Sequence, residues 1–136
     1  MIQRTLVLLK PDTVRRSLIG EILGRYEAKG LTLVAMDLRA IDEAQADAHY
    51  AEHVERDFYP PLRAFVTSGP LVAMVLEGDE AIEVVRAVNG ATDGRVAAPG
   101  SVRGDLSLSN RENLVHGSDS VQSAAREIDL WFPDLT

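Results

Sequence analysis

The stretch TLVLLKPD, residues 5–12, begins with an unbroken apolar run and ends in lysine, proline and aspartate. An apolar run of this length, without alternation, is typical of a strand that is buried on both faces. We therefore expect a core strand over residues 5–9. This strand would deliver Lys10 to its C-terminal end.

Three further strands are expected along the chain. Residues 31–41 and 71–76 are apolar stretches of strand length, and residues 114–116 resemble a short final strand. Segments with helical apolar spacing lie between these strands and after the last one. The order is strand, helix, strand, helices, strand, helix, loop, strand and helix. It predicts an α+β sandwich with helices packed on one sheet.

Polar residues at three expected helix starts are predicted to act as caps. Ser17 precedes the first helix, Asp79 precedes the helix after the third strand, and Asp119 with Gln122 matches a capping box before the last helix. Residues 89–110, which are rich in glycine, serine and asparagine, are expected to form a long irregular loop. Loops of that length inside a compact domain are usually functional.

Length and composition favour one ordinary globular domain spanning residues 1–136. The chain has 46% hydrophobic and 26% charged residues, and it contains no cysteine, which suits a reducing compartment. No apolar run approaches the roughly 20 residues that a membrane span requires, and the N-terminus lacks the pattern of a signal peptide. We expect a cytoplasmic protein that does not associate with membranes.

The charge balance limits the partners of this chain. With 14 lysines and arginines against 21 aspartates and glutamates, the net charge is −7, so there is no general positive field for a nucleic-acid backbone. Any anion must therefore be bound locally. Lys10 is one of two lysines in the chain, the other being Lys29, and its position after a core strand makes it a candidate ligand for such an anion.

The segment NLVHGSDS, residues 113–120, places His116 between the last expected strand and the last expected helix. A neutral imidazole is a competent nucleophile and, once phosphorylated, a good leaving group. The unpaired amides at the start of the helix favour a nearby anion, and Glu127 lies about two turns into that helix, where it could orient the ring. The alternative is a buried histidine that hydrogen-bonds to the backbone.

Six motifs in order resemble those of nucleoside diphosphate kinases, and the resemblance runs over residues 5–132. The motifs are LLKPD, HYAEH, TSGP, GATDG, APGSVRGD and NLVHGSDS. The resemblance implies a ferredoxin-like fold with a four-stranded antiparallel sheet. It also implies a ping-pong transfer of the terminal phosphoryl group from a nucleoside triphosphate to a nucleoside diphosphate, which maintains nucleoside triphosphate pools. The implied cofactor is Mg²⁺ carried by the nucleotide phosphates, with no metal ligand from the protein, and the implied assembly is a homo-oligomer, most often a hexamer.

The resemblance also implies roles for individual residues. His116 matches the phosphorylated histidine of the family, and Tyr50 matches the tyrosine near it. Lys10 matches the lysine that reaches the transferred phosphate and the sugar. Ser118 and Glu127 match the pair behind the histidine.

The remaining matches lie around the nucleotide. Phe58 matches the aromatic residue that stacks on the base, and Asn113 the asparagine on the sugar, whereas Arg86, Thr92 and Arg103 match residues around the phosphates. Transfer of a phosphoryl group needs positive groups where its charge spreads, and Lys10, Arg86 and Arg103 supply three cations from separate segments. Stacking on one aromatic face discriminates little between bases, so broad base tolerance is expected.

Several positions depart from the family pattern. Thr13 replaces a usual glycine after KPD, and Asn110 replaces a residue that is often apolar beside the base. Gly94 stands where proline is common in the long loop, so we expect a softer loop there and a stabilising effect of proline at that position. In the hexamers of the family this loop lies near the threefold contacts.

Two alternative functions are compatible with parts of the sequence. Residues 49–53 match the HxxEH pattern of inverted zinc peptidases, in which His49 and His53 would share one helix face as zinc ligands. A small ligand-binding regulatory domain could use the same sandwich fold, because a fold does not determine a function. Such a domain would not need His116.

Overall fold

The computed structural model describes residues 1–135, and Thr136 lies outside the described residues. The strands within residues 1–135 form one antiparallel sheet of four, in the order β2-β3-β1-β4. Their bounds are β1 Ile2–Leu9, β2 Thr32–Arg39, β3 Leu71–Asp79 and β4 Val115–Gly117. The expected α+β, ferredoxin-like fold class is confirmed.

Helices connect the strands. They are α1 Pro11–Arg15, α2 Ile19–Lys29, α3 Glu43–His49, α4 Tyr59–Val66, α5 Ala81–Asn89, α6 Val102–Leu106 and α7 Val121–Trp131, and a 3₁₀ turn follows at Pro133–Leu135. No helix of the part of the chain that is described has the length and apolar character needed to cross a membrane.

Residues 5–9 of β1 are buried because helices cover both faces of the sheet. Val7 and Leu9 pack with Ile22 of α2 and Val85 of α5 on one face. On the other face, a second cluster forms around α7, with Leu6, Leu8, Ile128 and Trp131 among its members. The unbroken apolar run at the start of the chain is therefore explained by burial on both sides.

Register along β1 brings the two ends of the sequence together. Leu8 lies opposite His116 in the antiparallel pairing of β1 with β4. Because β4 is only three residues long, the chain leaves the sheet directly after His116 and Gly117 and enters α7. The carboxyl end of β1, and with it Lys10, is thereby placed beside β4.

The three expected helix caps are wrong. Ser17 adopts a left-handed conformation with φ 58° in the turn before α2, and Leu18 occupies the cap position without a side-chain bond. Asp79 is the last residue of β3, and Glu80 precedes α5. In α7 the cap is Ser120, whose hydroxyl accepts a hydrogen bond from the Ser123 N–H at 3.1 Å.

The long loop contains regular structure that the sequence did not predict. Residues 102–106 form α6, and Ser101 caps it by accepting a hydrogen bond from the Gly104 N–H at 3.0 Å. Gly104 has no room for a side chain, because a Cβ there would lie 1.9 Å from the Ala98 carbonyl oxygen. Residues 103–105, the RGD part of the APGSVRGD motif, therefore lie in a tightly packed helical turn.

The expectation of a soft loop at Gly94 is also wrong. Gly94 is buried, and its N–H donates a hydrogen bond to the Ser109 carbonyl oxygen at 3.1 Å. A Cβ at this position would lie 2.3 Å from the Ser107 carbonyl oxygen. Proline would lose the hydrogen bond and also clash, so it cannot stabilise this backbone.

Candidate active site

Two adjoining cavities open beside the end of β1. The first, of about 640 Å³, is lined by His116, Lys10 and Tyr50 among other residues. The second, of about 610 Å³, contains Phe58 and shares Lys10 and other residues with the first. Nine of the ten residues singled out in the sequence line one or both cavities, and they are Lys10, Tyr50, Phe58, Arg86, Thr92, Arg103, Asn113, His116 and Glu127. Ser118 is fully buried behind them.

His116 is held by one ring nitrogen. Its Nε2 lies 2.9 Å from Glu127 Oε1, and Glu127 is buried whereas the His116 side chain is 20% exposed. A carboxylate can only accept a hydrogen bond, so the imidazole proton lies on Nε2. The lone pair is then on Nδ1, for which the structure gives no hydrogen bond within residues 1–135.

Ser118 connects this pair to the sheet. Its hydroxyl donates to Glu127 Oε1 at 2.8 Å, and its oxygen accepts a hydrogen bond from the Leu6 N–H at 3.1 Å. The carboxylate oxygen of Glu127 therefore has two donors, a serine fixed to the central strand β1 and the catalytic candidate His116. This arrangement fixes the orientation of the imidazole ring through the most rigid part of the fold.

A left-handed residue links the two motifs of the site. Leu114 adopts φ 75°, which is unfavourable for a branched side chain. Its N–H donates to Asp12 Oδ2 at 3.1 Å, and its carbonyl oxygen accepts from the Lys10 N–H at 2.8 Å and the Thr13 hydroxyl at 2.7 Å. The KPD motif therefore holds the strained peptide that precedes His116, and Thr13 adds a hydrogen bond that glycine could not make.

Lys10 points into the site and is bound by Asn113. Its Nζ donates a hydrogen bond to Asn113 Oδ1 at 2.9 Å. Burial of the ammonium, with repulsion from Arg103, lowers the pKa of Lys10 from 10.5 to about 8, although Asp12 opposes the shift. Lys10 is therefore still mostly charged near neutral pH, and it is poorly neutralised by the protein around it.

Asn113 also ties the loop to the site. Its Nδ2 donates to the Thr92 carbonyl oxygen at 2.9 Å and to the Asn110 carbonyl oxygen at 3.0 Å. Because lysine can only donate, the bond from Lys10 assigns the amide oxygen of Asn113 to that side. One side chain thus joins β1, the segment after α5 and the segment before β4.

Arg103 reaches the site from α6. Its Nε, Nη1 and Nη2 donate to the carbonyl oxygens of Asn113, Gly90 and Val115, at 3.2, 2.8 and 2.7 Å. Within residues 1–135, three of the five guanidinium N–H groups therefore have an acceptor, which leaves two for a further acceptor. Arg86 on α5 lines the same cavity and is exposed, so neither arginine is merely a distant surface cation.

Phe58 lines the second cavity. This residue directly precedes α4, and it is 50% exposed. The centroid of its ring lies 5.5 Å from that of the His53 ring. A half-exposed aromatic ring beside a cavity is available to stack on a flat ligand. Arg111, Asn110 and Leu108 line the same cavity.

Sequence reasoning gave no role to Trp131, and it considered His49 only as a zinc ligand in the peptidase alternative. The Trp131 Nε1–H donates to His49 Nδ1 at 3.0 Å, and the rings of His49 and His116 are 4.6 Å apart between centroids. The hydroxyl of Tyr50 and Nε2 of His49 are buried without a hydrogen-bond partner in residues 1–135. The adjacent pair His49 and Tyr50 was the signal in the sequence, because two neighbouring aromatic side chains at a helix end each carry polar atoms that need suitable surroundings.

Arg126 is a further residue of the site that the sequence did not reveal. Its two Nη atoms donate to the carbonyl oxygens of Ala48 and His49 at 3.1 and 3.0 Å. These carbonyls lie at the C-terminal end of α3, where helix carbonyls lack intrahelical partners. Consecutive residues of α7 thus position both sides of the site, with Arg126 holding α3 and Glu127 holding His116.

The zinc peptidase alternative is wrong. Helix α3 ends at His49, and His53 follows in a turn, so the two histidines do not share a helix face. Within the described residues, the potential metal-binding group that includes His49 consists of His49, His116 and Glu127, without His53.

Sequence comparisons identify close relatives. A family model described as nucleoside diphosphate kinase matches residues 3–136. A nucleoside diphosphate kinase from Nocardioides sp. is 74% identical over 132 residues, covering 97% of this chain and 98% of the relative. Another from Cutibacterium acnes is 64% identical over 133 residues, covering 98% of this chain and 96% of the relative.

Solved structures of similar fold agree with these relatives. A halophilic nucleoside diphosphate kinase from Halobacterium salinarum, in complex with CDP, is 48% identical with a TM-score of 0.95, covering 97% of this chain and 88% of that chain. A nucleoside diphosphate kinase family protein from Babesia bovis is 42% identical with a TM-score of 0.93, covering 97% of this chain and 90% of that chain.

Proposed function

This chain is a member of the nucleoside diphosphate kinase family, and on that premise we propose that His116 is the residue that carries the phosphoryl group. The family resemblance of the sequence motifs is confirmed, and the protein is a phosphotransferase, not a non-enzymatic regulatory domain. The reaction is a ping-pong transfer of the terminal phosphoryl group from a nucleoside triphosphate to a nucleoside diphosphate through a phosphohistidine.

In the first half-reaction, we infer that the lone pair of His116 Nδ1 attacks the terminal phosphorus of the triphosphate. The new N–P bond forms as the bond from phosphorus to the bridging oxygen breaks, and the electron pair leaves with the nucleoside diphosphate. The second half-reaction reverses these steps with another diphosphate as acceptor. The contact at 2.9 Å between His116 Nε2 and Glu127 Oε1 carries this proposal, because it leaves Nδ1 free.

Glu127 stabilises the intermediate as well as orienting the ring. When Nδ1 is phosphorylated while Nε2 keeps its proton, the imidazole ring becomes positively charged. The buried carboxylate at 2.9 Å then faces a cation, and a charge-assisted hydrogen bond is stronger than a neutral one. The same interaction persists in both half-reactions, so transfer in either direction benefits from it.

Three cations meet the phosphates of the nucleotide. Lys10, Arg86 and Arg103 line the cavity that contains His116. Lys10 and the Arg103 guanidinium are held by hydrogen bonds before any ligand binds, so they need little reorganisation as charge spreads over the transferred group. Tyr50, which lines the same cavity, contributes a buried hydroxyl, and the Thr92 side chain is exposed there.

The base and sugar occupy the second cavity in this proposal. Phe58 offers a stacking face, which every nucleobase can use, so the enzyme accepts several bases. Asn113 lies where both cavities meet and holds Lys10, which places the lysine between the sugar and the transferred phosphate.

The cavity suits Mg²⁺ that arrives on the nucleotide. Mg²⁺ prefers oxygen ligands and is usually bound by substrate phosphates with few carboxylates. The potential metal-binding group within residues 1–135 has two histidines, and Glu127 Oε1 already accepts two hydrogen bonds, so it does not offer such a ligand set. Asp119 is an exposed carboxylate that lines the same cavity. Bound Mg²⁺ neutralises part of the phosphate charge.

We further propose a homo-oligomer, with a hexamer as the expected form, built from a single domain spanning residues 1–136. Met36 and Leu38 are exposed on the edge strand β2, and Val96 and Leu108 are exposed around the long loop. Apolar side chains at these places support contacts between subunits. The compartment expected for a chain without cysteine is the reducing cytoplasm. Light scattering at micromolar concentration tests the assembly.

The function is tested by separating the two half-reactions in time. The protein is incubated with ATP and Mg²⁺, freed of nucleotide by gel filtration, and then given GDP. We expect GTP in an amount equal to that of the phosphorylated protein, because the phosphoryl group stays covalently bound to the enzyme between the two half-reactions. Formation of GTP only while ATP is still present would contradict a phosphorylated intermediate. A sample passed through the same steps without ATP is the control.

A further inference from the structure

The pair formed by Trp131 and His49 has no place in the function described so far. Both residues are buried, and the Trp131 indole N–H donates to His49 Nδ1 at 3.0 Å. Indole nitrogen can only donate, so Nδ1 of His49 must carry the lone pair. Burial, with repulsion from the nearby His116, lowers the pKa of His49 well below its ordinary value, so the ring is neutral at physiological pH.

The tautomer of His49 follows from these facts. A neutral imidazole has one N–H and one lone pair, and the lone pair is engaged by Trp131. His49 Nε2 therefore carries the proton, and it has no hydrogen-bond partner among residues 1–135. A buried donor without a hydrogen-bond partner is energetically unfavourable, so its retention in a functional site calls for an explanation.

His49 is in direct contact with the proposed nucleophile. The two imidazole rings are 4.6 Å apart between centroids, with an angle of 81° between their planes. A ring nitrogen of His49, a ring nitrogen of His116 and a carboxylate oxygen of Glu127 all lie within 4.8 Å of one another. A histidine this close could in principle compete with Glu127 for the proton of His116.

The hydrogen bond from Trp131 removes that competition. A His49 ring with a free lone pair on Nε2 would offer His116 a second acceptor, and so a second ring orientation in which Nδ1 is not the free nitrogen. With Nδ1 occupied by Trp131, His49 presents only an N–H group. For the same reason the group of His49, His116 and Glu127 is a poor metal site, because a metal ion would need the lone pair on Nε2.

We propose that Trp131 and His49 are positioning residues, in which Trp131 fixes His49 as a hydrogen-bond donor so that Glu127 is the sole acceptor for the proton of His116 and Nδ1 stays the nucleophile. This proposal rests on the proposed function, since it assumes that Nδ1 of His116 accepts the phosphoryl group. It adds a determinant of the His116 tautomer beyond Glu127.

The test combines a double-mutant cycle with NMR of histidine nitrogens. Trp131→Phe removes the donor, and we expect His49 and His116 each to change from a single Nε2–H tautomer to a mixture. The rate of phosphorylation by ATP in a single turnover should fall about tenfold, a size typical for coupled residues in contact. In a His49→Phe background, the same Trp131→Phe change should alter that rate by less than about twofold, because position 49 then has no imidazole whose tautomer Trp131 could fix.

Several results would overturn this proposal. One is an unchanged His116 tautomer in folded Trp131→Phe, and another is an equal loss of rate in both backgrounds, which would mean that Trp131 acts only by packing. If Trp131→Phe does not fold, the unmodified protein decides, because an Nδ1–H tautomer or a cationic His49 at neutral pH contradicts the proposal directly. Failure of the proposed function would be distinct, since the unmodified protein would then gain no phosphoryl group on His116.

Discussion

Lys10 and Asn113 are 103 positions apart in sequence, yet Lys10 Nζ donates a hydrogen bond to Asn113 Oδ1 at 2.9 Å. The contact exists because β1 pairs with β4, so the segment after the first strand meets the segment before the last one. It joins the KPD motif to the NxxH motif in a single arrangement. The protonation state of the buried Lys10 therefore affects the contact between these two motifs.

The buried lysine should limit activity at high pH. Burial lowers the pKa of Lys10 to about 8, and a lysine loses its charge as the pH rises through its pKa, so kcat/KM should decline above about pH 8. Asn113→Asp places a carboxylate beside the ammonium, which raises the pKa of Lys10 and should move the decline to higher pH. A pH profile of kcat/KM for both proteins measures this. A decline only where an unburied lysine titrates would contradict the assignment.

Removal of the carboxylate behind the nucleophile should slow phosphorylation. Hydrogen bonds to charged groups contribute about 1.5–3 kcal/mol, so Glu127→Ala should lower the single-turnover rate by about 10- to 150-fold. Glu127→Gln keeps an acceptor for His116 Nε2 and should lose less. Rapid-quench measurement of the phosphorylated protein gives both rates. Equal rates for Glu127→Ala and the unmodified protein would remove Glu127 from the mechanism.

Much of this site was predictable from sequence, because its parts are local. The apolar run of residues 5–9 predicts a buried strand, and the spacing from His116 to Glu127 places a carboxylate on the following helix. The predicted strands were confirmed within a few residues. The family motifs named the residues around the nucleotide, and nearly all of them line the two cavities.

The features that were missed depend on contacts between distant segments, or on the exact residue at which a helix begins. The bond from Leu114 N–H to Asp12 and the bond from Trp131 to His49 join residues 102 and 82 positions apart. Each cap prediction was wrong because a polar residue one or two positions away from the helix start satisfies the same local pattern. Helices α1 and α6, of five residues each, are too short to show a helical period.

The aromatic ring at the base end should contribute to the binding of every nucleotide. Stacking of a base on an aromatic side chain contributes about 1–3 kcal/mol to binding. Phe58→Ala should therefore weaken the binding of purine and pyrimidine diphosphates by similar factors. Phe58→Leu keeps apolar surface but has no π-face, and it separates stacking from general hydrophobic contact. Calorimetric titration with four diphosphates measures the effect. A loss confined to one base would mean that polar contacts dominate base binding.

Glycine should be required at position 94. A Cβ there would lie 2.3 Å from the Ser107 carbonyl oxygen, and overpacking typically costs about 1–3 kcal/mol, so Gly94→Ala should lower the free energy of unfolding. Gly94→Pro should lower it further, because it also loses the bond to Ser109. The matched control is Gly24→Ala, which has open space within α2 and should stabilise by about 0.5–1 kcal/mol. If urea unfolding shows that Gly94→Ala raises the free energy of unfolding as the control does, the tight packing at position 94 is refuted.

The central claim is that His116 carries the phosphoryl group, and mass spectrometry of the intact protein tests it most directly. After brief exposure to ATP and Mg²⁺, the unmodified protein should gain the mass of one phosphoryl group, and acid should remove it whereas base should not. His116→Ala should gain none, while His53→Ala, in the same cavity but outside the Glu127 pair, should still be labelled. Labelling of folded His116→Ala, or no labelling of the unmodified protein, would contradict the account.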